Sequence, residues 1–290
     1  MNSNETPGLR THEDAELFRE AVTYTAAETG FLPRLIEKDY FCTLLLWHVV
    51  RANNIVFKGG TCLAKVHAEF YRLSEDMDFV VSIPVDAKRA LRRKLAEPVR
   101  RIIKDLPAPF HASAPMEGHN DSTQYNGAVS YTSLMDGHDE PIHLELSLRE
   151  PLLMPVKPTG ARTLLRDPIT GRPMVSPLKL PCIAKDEAFA EKFRAALTRR
   201  EIAVRDFFDL DHAVQKLKLS PSEPALIELV RQKVLVPGND PVTVAPERLD
   251  QLRDQLDARL RPMLRPQDFA TFDLDRAIQI VVEMAKAIAA

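Results

Sequence analysis

Hydrophobic positions along the chain change their period several times, and each change marks a predicted element. Between residues 13 and 29, Leu17, Phe18, Ala21, Val22 and Thr25 recur at helical spacing, which predicts a helix that stops at Gly30. A second helix is predicted over 34–53, just after Pro33. Its cluster Leu44, Leu45, Leu46, Trp47, Val49 and Val50 leaves little polar face, so it is expected to be buried on most sides. Glu37, Lys38 and Asp39 near its start fit two readings: acids near the positive end of the helix dipole, or part of a functional site. Short apolar runs at 55–57 and 77–83, bounded by turn residues, predict two strands with a helix over 61–71 between them.

A further helix is predicted over 86–105, with Leu91, Leu95, Val99, Ile102, Ile103 and Leu106 on one face. The other face carries Lys88, Arg89, Arg92, Arg93, Lys94, Arg100, Arg101 and Lys104 against Glu97 alone. Such a face is either simply solvated or follows a phosphate backbone. Pro98 is expected to kink or split this helix. Strands follow at 125–134 and 141–148, joined by a turn at Asp136-Gly137. The second alternates: Ile142, Leu144, Leu146 and Leu148 face a core, and His143, Glu145 and Ser147 face the other way. Proline-rich stretches at 107–120 and 151–181 read as loops or linkers, and residues 1–12 as a loose tail. From 183 onward the pattern is helical, over 183–199, 201–217, 221–234, 246–264 and 272–290. The chain thus divides into a mixed half, 1–160, and a helical half, 161–290.

Composition narrows the function classes. Charged residues make up 28% and hydrophobic residues 45%, the balance of a globular protein with a sizeable core. Lys plus Arg is 39 and Asp plus Glu is 41, so any nucleic-acid contact has to come from a local patch. Cys42, Cys62 and Cys182 are odd in number and lack metal-ligand spacing, which favours buried thiols in a reducing cytoplasm. No signal peptide is evident in the polar N-terminus, and the longest apolar runs are far too short to cross a membrane.

The candidate chemistry lies between the first two strands. Phe57-Lys58-Gly59-Gly60-Thr61 ends one strand, and Ser74-Glu75-Asp76-Met77-Asp78-Phe79 opens the next. On a strand, Asp76 and Asp78 project from one face while Met77 and Phe79 point into the core. Two carboxylates so placed repel unless a cation lies between them, and a hard divalent ion such as Mg²⁺ takes oxygen ligands, phosphate oxygens included. Gly59 and Gly60 let backbone approach a phosphate, and the backbone N–H groups beyond them, with Thr61, can hold its oxygens. Glu145, on a strand expected beside this one, is either a third carboxylate or an ordinary outward-facing acid.

These segments resemble the AbiEii/AbiGii nucleotidyltransferase-like toxins, within the DNA polymerase beta-like nucleotidyltransferase superfamily. The resemblance rests on the two motifs above, on Arg72-Leu73-Ser74 before the acidic pair, on Ala190-Glu191-Lys192, and on Arg205-Asp206-Phe207-Phe208-Asp209-Leu210. Ile36-Glu37-Lys38-Asp39-Tyr40 is similar to that family's N-terminal signature, and the likeness covers roughly residues 30–215. It implies an α+β fold, with a small mixed sheet flanked by helices and a helical C-terminal domain that completes the site. It also implies a transferase of the EC 2.7.7 type with Mg²⁺ and a nucleoside triphosphate, Asp76 and Asp78 being the metal ligands and Glu145 a candidate third. Lys58, Gly59, Gly60, Thr61 and Ser74 would lie near the triphosphate. Lys192 would neutralise phosphate charge, with Asp209, Asp206 and Arg205 beside it. The superfamily's usual Gly-Ser stands here as Gly60-Thr61, which keeps the hydroxyl. The resemblance further implies a toxin of a toxin–antitoxin or abortive-infection system that adds nucleotides to tRNA 3′ ends and blocks translation. Its cognate antitoxin would come from a neighbouring gene. A GTP-binding module without transfer activity and a small-molecule nucleotidyltransferase remain open alternatives.

Overall fold

The computed structural model describes residues 8–290, so the tail expected over 1–12 lies outside the described residues as far as residue 7. Residues just beyond it are tied down: Leu9 is buried, and the Tyr40 hydroxyl donates to its carbonyl at 2.9 Å. The chain forms two compact units, one of residues 1–152 and 156–183, the other of 153–155 and 184–290.

In the first unit, α1 (Ala15–Thr29) starts at Asp14, whose carboxylate accepts from the Leu17 N–H at 3.1 Å, and stops at Gly30 in the left-handed region. Helix α2 (Pro33–Val49) begins with its proline at the first helical position and is buried along nearly its whole length, Glu37 and Asp39 included. The strands are β1 (Val56–Lys58), β2 (Met77–Val80), β3 (His111–His119), β4 (Gln124–Thr132), β5 (Asp139–Ser147), β6 (Lys157–Ala161) and β7 (Leu178–Cys182). They make one mixed seven-stranded sheet in the order β3-β4-β5-β2-β1-β7-β6. The pairs β1/β7 and β2/β5 are parallel, and the others antiparallel. This is the α+β class the sequence predicts, with a small mixed sheet flanked by helices.

Register assigns the faces. Phe57, Phe79, Leu146 and Tyr125 are successive cross-strand partners, all buried. Tyr131 shares that face of β4 and stacks on Phe41 of α2 at 3.8 Å, so α2 covers the apolar side. Helix α4 (Arg89–Lys104) covers it too: its Arg100 guanidinium lies 5.9 Å from the Tyr125 ring. The opposite side carries the row Lys58, Asp78, Glu145, Asn126 and Glu117, again successive partners.

Three strands depart from the expected loops. Residues 107–120 and 151–181, read as loop or linker, hold β3, β6 and β7. Both β3 and β6 are sheet edges, where Pro115 and Pro158 are tolerated and no apolar alternation is required. β6 and β7 lie beyond residue 156 yet extend the sheet of the first unit, β7 pairing with β1. α4 runs unbroken through Pro98 rather than splitting.

The second unit contains α5 (Lys185–Thr198), α6 (Val204–Leu217), α7 (Pro224–Val234), α8 (Pro246–Asp250), α9 (Pro266–Thr271) and α10 (Leu274–Ala289). The single helix expected over 246–264 is instead α8, a π-helical turn at Leu256–Leu260 and a 3₁₀ turn at Arg261–Met263. Lys233, fully buried in α7, pairs with Glu187 at 2.7 Å and with Glu191 at 3.3 Å. Glu187 also accepts the backbone N–H groups of Leu153 and Met154, both at 2.9 Å. No helix among the described residues is long and apolar enough to cross a membrane.

Candidate functional site

The two motifs between β1 and β2 are physically joined. After Lys58 the chain enters α3 (Gly59–Cys62), which continues as a π-helical turn, Leu63–His67. Glu69 and Phe70, both at positive φ, end it and send the chain back toward β2. The Thr61 hydroxyl donates to the Asp76 carbonyl, so the residue expected at a phosphate also fastens the glycine turn to the acidic strand. Gly59 has φ +76°, and a methyl there would lie 1.9 Å from Asp78 Oδ2. A methyl on Gly60 would lie 2.8 Å from Arg72 Nη2 and 2.9 Å from Ser74 Oγ. Gly59 is therefore required both by its φ and by the close approach of Asp78, and a side chain at Gly60 would displace the ends of Arg72 and Ser74.

Ser74, Asp76 and Asp78 are half-buried, while Met77 and Phe79 between and beyond the acids are fully buried, as alternation predicts. Lys58, buried at the end of β1, is the register partner of Asp78 on one side. Glu145 is its partner on the other side, and the Glu145 carboxylate accepts from Gln124 Nε2 at 2.8 Å. Glu145 thus stands next to the acidic strand, as its pattern suggests. Among the described residues no group of three or more His, Cys, Asp or Glu side chains is arranged to hold a metal ion. The all-oxygen pair Asp76 and Asp78 nonetheless has the chemistry a hard divalent cation takes.

The first turns of α2 hold this strand from behind. Glu75 points to the apolar side, where Arg34 Nη1 reaches it at 2.6 Å and Lys38 Nζ at 3.6 Å. Both cations also meet Glu140, at 3.4 Å and 3.3 Å. The neighbouring charges of α2 are structural. Glu37 accepts from Ser133 Oγ and Leu134 N, each at 2.7 Å, and burial pushes its carboxyl above the usual range. Asp39 pairs with the fully buried Lys65 at 2.6 Å and accepts from Leu164 N at 2.9 Å. Glu37, Lys38 and Asp39 therefore clamp the sheet and the glycine helix from within the core.

Arg72 is a residue to which the sequence reading gave no role. It is the largest fully buried side chain among the described residues, with its guanidinium close to Gly60 and Nη1 donating to the Leu73 carbonyl at 3.2 Å. Its place in the motif before Ser74 was visible, but nothing in the sequence marks an arginine as buried. For Glu75 the signal was present: strand alternation puts it on the face opposite Asp76 and Asp78.

The helical unit gathers its own predicted residues. Lys192 Nζ on α5 lies 2.8 Å from Asp206 Oδ1 and 2.8 Å from Asp209 Oδ2, both on α6. Asp206 also meets Arg199 at 3.0 Å. Burial alone would raise the Asp206 carboxyl, but Lys192 and Arg199 outweigh it and hold it below the usual carboxylate range. Arg205 turns to the Met263 sulfur at 3.8 Å. Asp206 and Asp209, one helical turn apart, thus share a single lysine.

Comparison with known proteins supplies the family. No curated protein matches the chain. Among solved structures, JHP933 from Helicobacter pylori is 18% identical, with a TM-score of 0.48 over 87% of this chain and 92% of that one. A second Helicobacter pylori structure, provisionally assigned as a nucleotidyltransferase, is 19% identical, with a TM-score of 0.49 over 87% of this chain and 95% of that one. The family model for the nucleotidyl transferase AbiEii toxin of type IV toxin–antitoxin systems matches residues 43–281. That span omits the motif at 36–40 and takes in most of the C-terminal helices, which lie beyond the stretch of roughly 30–215 that carries the resemblance. Covering more than four fifths of the sequence, the match establishes that the chain belongs to the AbiEii nucleotidyl transferase toxin family.

Proposed function

We propose that the chain is a Mg²⁺-dependent nucleotidyltransferase that uses a nucleoside triphosphate and modifies tRNA 3′ ends, blocking translation in the cytoplasm until a cognate antitoxin counters it. The observation that carries this reading is the junction of the two motifs: Gly59 against the Asp78 carboxylate and Thr61 on the Asp76 carbonyl. Asp76 and Asp78 would hold the ion, which would supply charge neutralisation at the triphosphate and a lowered pKa for an acceptor hydroxyl. Gly59 and Gly60 bring the Asp78 carboxylate and the Ser74 hydroxyl hard against the turn, and Lys58, Thr61 and Ser74 lie near the triphosphate, as the family resemblance implies. Lys192, with Asp206, Asp209 and Arg205, acts on phosphate charge, as the family resemblance implies. Nucleotidyl transfer needs positioning and charge neutralisation more than covalent help.

The test is incubation of the purified protein with Mg²⁺ and each labelled nucleoside triphosphate, against total cellular RNA and against a panel of small-molecule acceptors. Label on an RNA band of tRNA size is the expected result and names the nucleotide. Label on a small molecule alone overturns the acceptor. Nucleotide binding with no transfer to any acceptor makes the protein a binding module.

A further inference from the structure

We infer that the exposed face of α4 is an anchoring surface for the RNA phosphate backbone, separate from the carboxylate site and on the other side of the sheet. This rests on the reading of RNA as the acceptor. Lys88 to Lys104 carries eight Lys and Arg against one Glu, in a chain whose net charge is −2. Seven of these cations are exposed; Arg92 alone is buried, donating to the Val85 carbonyl at 3.0 Å. Acids answer only some of them: Glu97 meets Arg100 and Arg101, and Asp121 meets Arg89 and Arg92. Arg93 and Lys94 line a surface cleft of about 340 Å³ with Ala90, Glu97 and Arg100. Cations spaced four residues apart along a helix stand roughly 6 Å from one another, so the face presents an extended row of charge.

The chemistry favours a polynucleotide over a lipid surface. A helix that lies in a membrane interface needs a free apolar face. Of the apolar residues of α4, Ala96, Val99 and Ile103 are buried and Leu95 and Ile102 half-buried against its own unit, so Leu91 is its one exposed large apolar side chain and makes no apolar face. Four of the seven exposed cations are arginines, whose planar fork suits phosphate oxygens.

Position distinguishes this surface from a track that leads straight into the site. α4 covers the apolar side of the sheet at the β3 end, whereas Asp78 and Glu145 face the opposite side. Three strand spacings, roughly 14 Å, separate β3 from β2. An RNA held at both places has to pass around the β3 edge. A long, folded RNA can do so, and a short 3′-end fragment cannot.

The experiment compares the full chain with the triple variant Arg93→Gln, Lys94→Gln, Lys104→Gln, and with a charge-keeping control, Lys94→Arg, Lys104→Arg. Binding of an unmodified tRNA is measured by filter retention at several salt concentrations, beside a short single-stranded RNA, vesicles of anionic lipid and the nucleoside triphosphate. The triple variant is expected to bind tRNA at least about tenfold more weakly, with a salt slope lower by roughly two. Its affinity for the nucleotide is expected to be unchanged, its affinity for the short RNA to fall less than that for tRNA, and the control is expected to behave as wild type. Unchanged tRNA affinity and slope in a folded triple variant would overturn the anchoring surface and leave the RNA acceptor standing. A wild-type protein that binds no RNA overturns the acceptor reading itself. Vesicle binding lost in the triple variant while tRNA binding persists assigns the face to membranes instead.

Discussion

The α-carbon of Gly59 and the carboxylate of Asp78 are packed so closely that no side chain fits between them: a methyl on Gly59 would stand 1.9 Å from Oδ2. The glycine motif is thus the wall against which the second acid of the pair is set. Gly59→Ala is predicted to push that carboxylate aside and also to force an alanine to φ +76°, at a backbone cost of about 1–2 kcal/mol. Transfer is expected to fall on the order of a hundredfold, as displaced catalytic groups do. A folded Gly59→Ala protein with wild-type rate would show that the contact is incidental.

The pair of Asp39 and Lys65 ties α2 to the helix that follows the glycines. Both side chains are buried and 2.6 Å apart, and Lys65 Nζ also donates to Thr43 Oγ1 at 2.7 Å. Lys65→Met leaves Asp39 as an uncompensated buried charge, with a predicted loss of about 3–5 kcal/mol in urea unfolding. Adding Asp39→Leu is expected to recover a good part of that loss, and a double-mutant cycle reads the coupling. Strictly additive losses would speak against it.

Lys192 stands between two buried carboxylates, so its removal is predicted to cost more than an ordinary surface lysine does. Lys192→Met is expected to destabilise the helical unit by about 3 kcal/mol or more, read by thermal melting, whether or not nucleotide is present. Asp206→Asn in the same background should restore part of the loss. A melt indistinguishable from wild type would show that the cluster is loosely held in solution.

His48 gives a pH dependence that can be signed in advance. Burial first, and Arg51 second, push its imidazole down to about 4. The unfolded chain therefore takes up a proton near the ordinary value of 6.5, while the folded chain resists until about pH 4. Stability contributed by neutral His48 is full above pH 6.5 and is lost progressively as the pH falls toward 4. His48→Phe, which keeps a ring against Phe110, is predicted to flatten this part of the stability–pH curve. An unchanged curve would remove His48 from the account.

Much of the first unit was legible because its residues obey local rules. Alternation gave β2 and β5 and placed Glu145 beside Asp78, and Gly30 marked the end of α1. Edge strands β3 and β6 were not legible, because an edge exposed on both faces has no apolar period and tolerates proline. The burial of Arg72, Lys65 and Glu37 was equally hidden. Charged residues read as surface until their partners, distant in sequence, are known. Lys192 with Asp206 and Asp209 was named through family resemblance; spacing along α6 alone allowed a simple surface pair.

The claim at the centre of the account is that Asp76 and Asp78 carry the transfer. The most direct measurement is the rate of label transfer from nucleoside triphosphate to RNA by Asp76→Ala beside wild type, with circular dichroism melts of both. The variant is expected to fold and to transfer at least roughly a thousandfold more slowly, since a carboxylate that would hold the ion is gone. A folded Asp76→Ala protein that still labels RNA at a rate near wild type would contradict that claim.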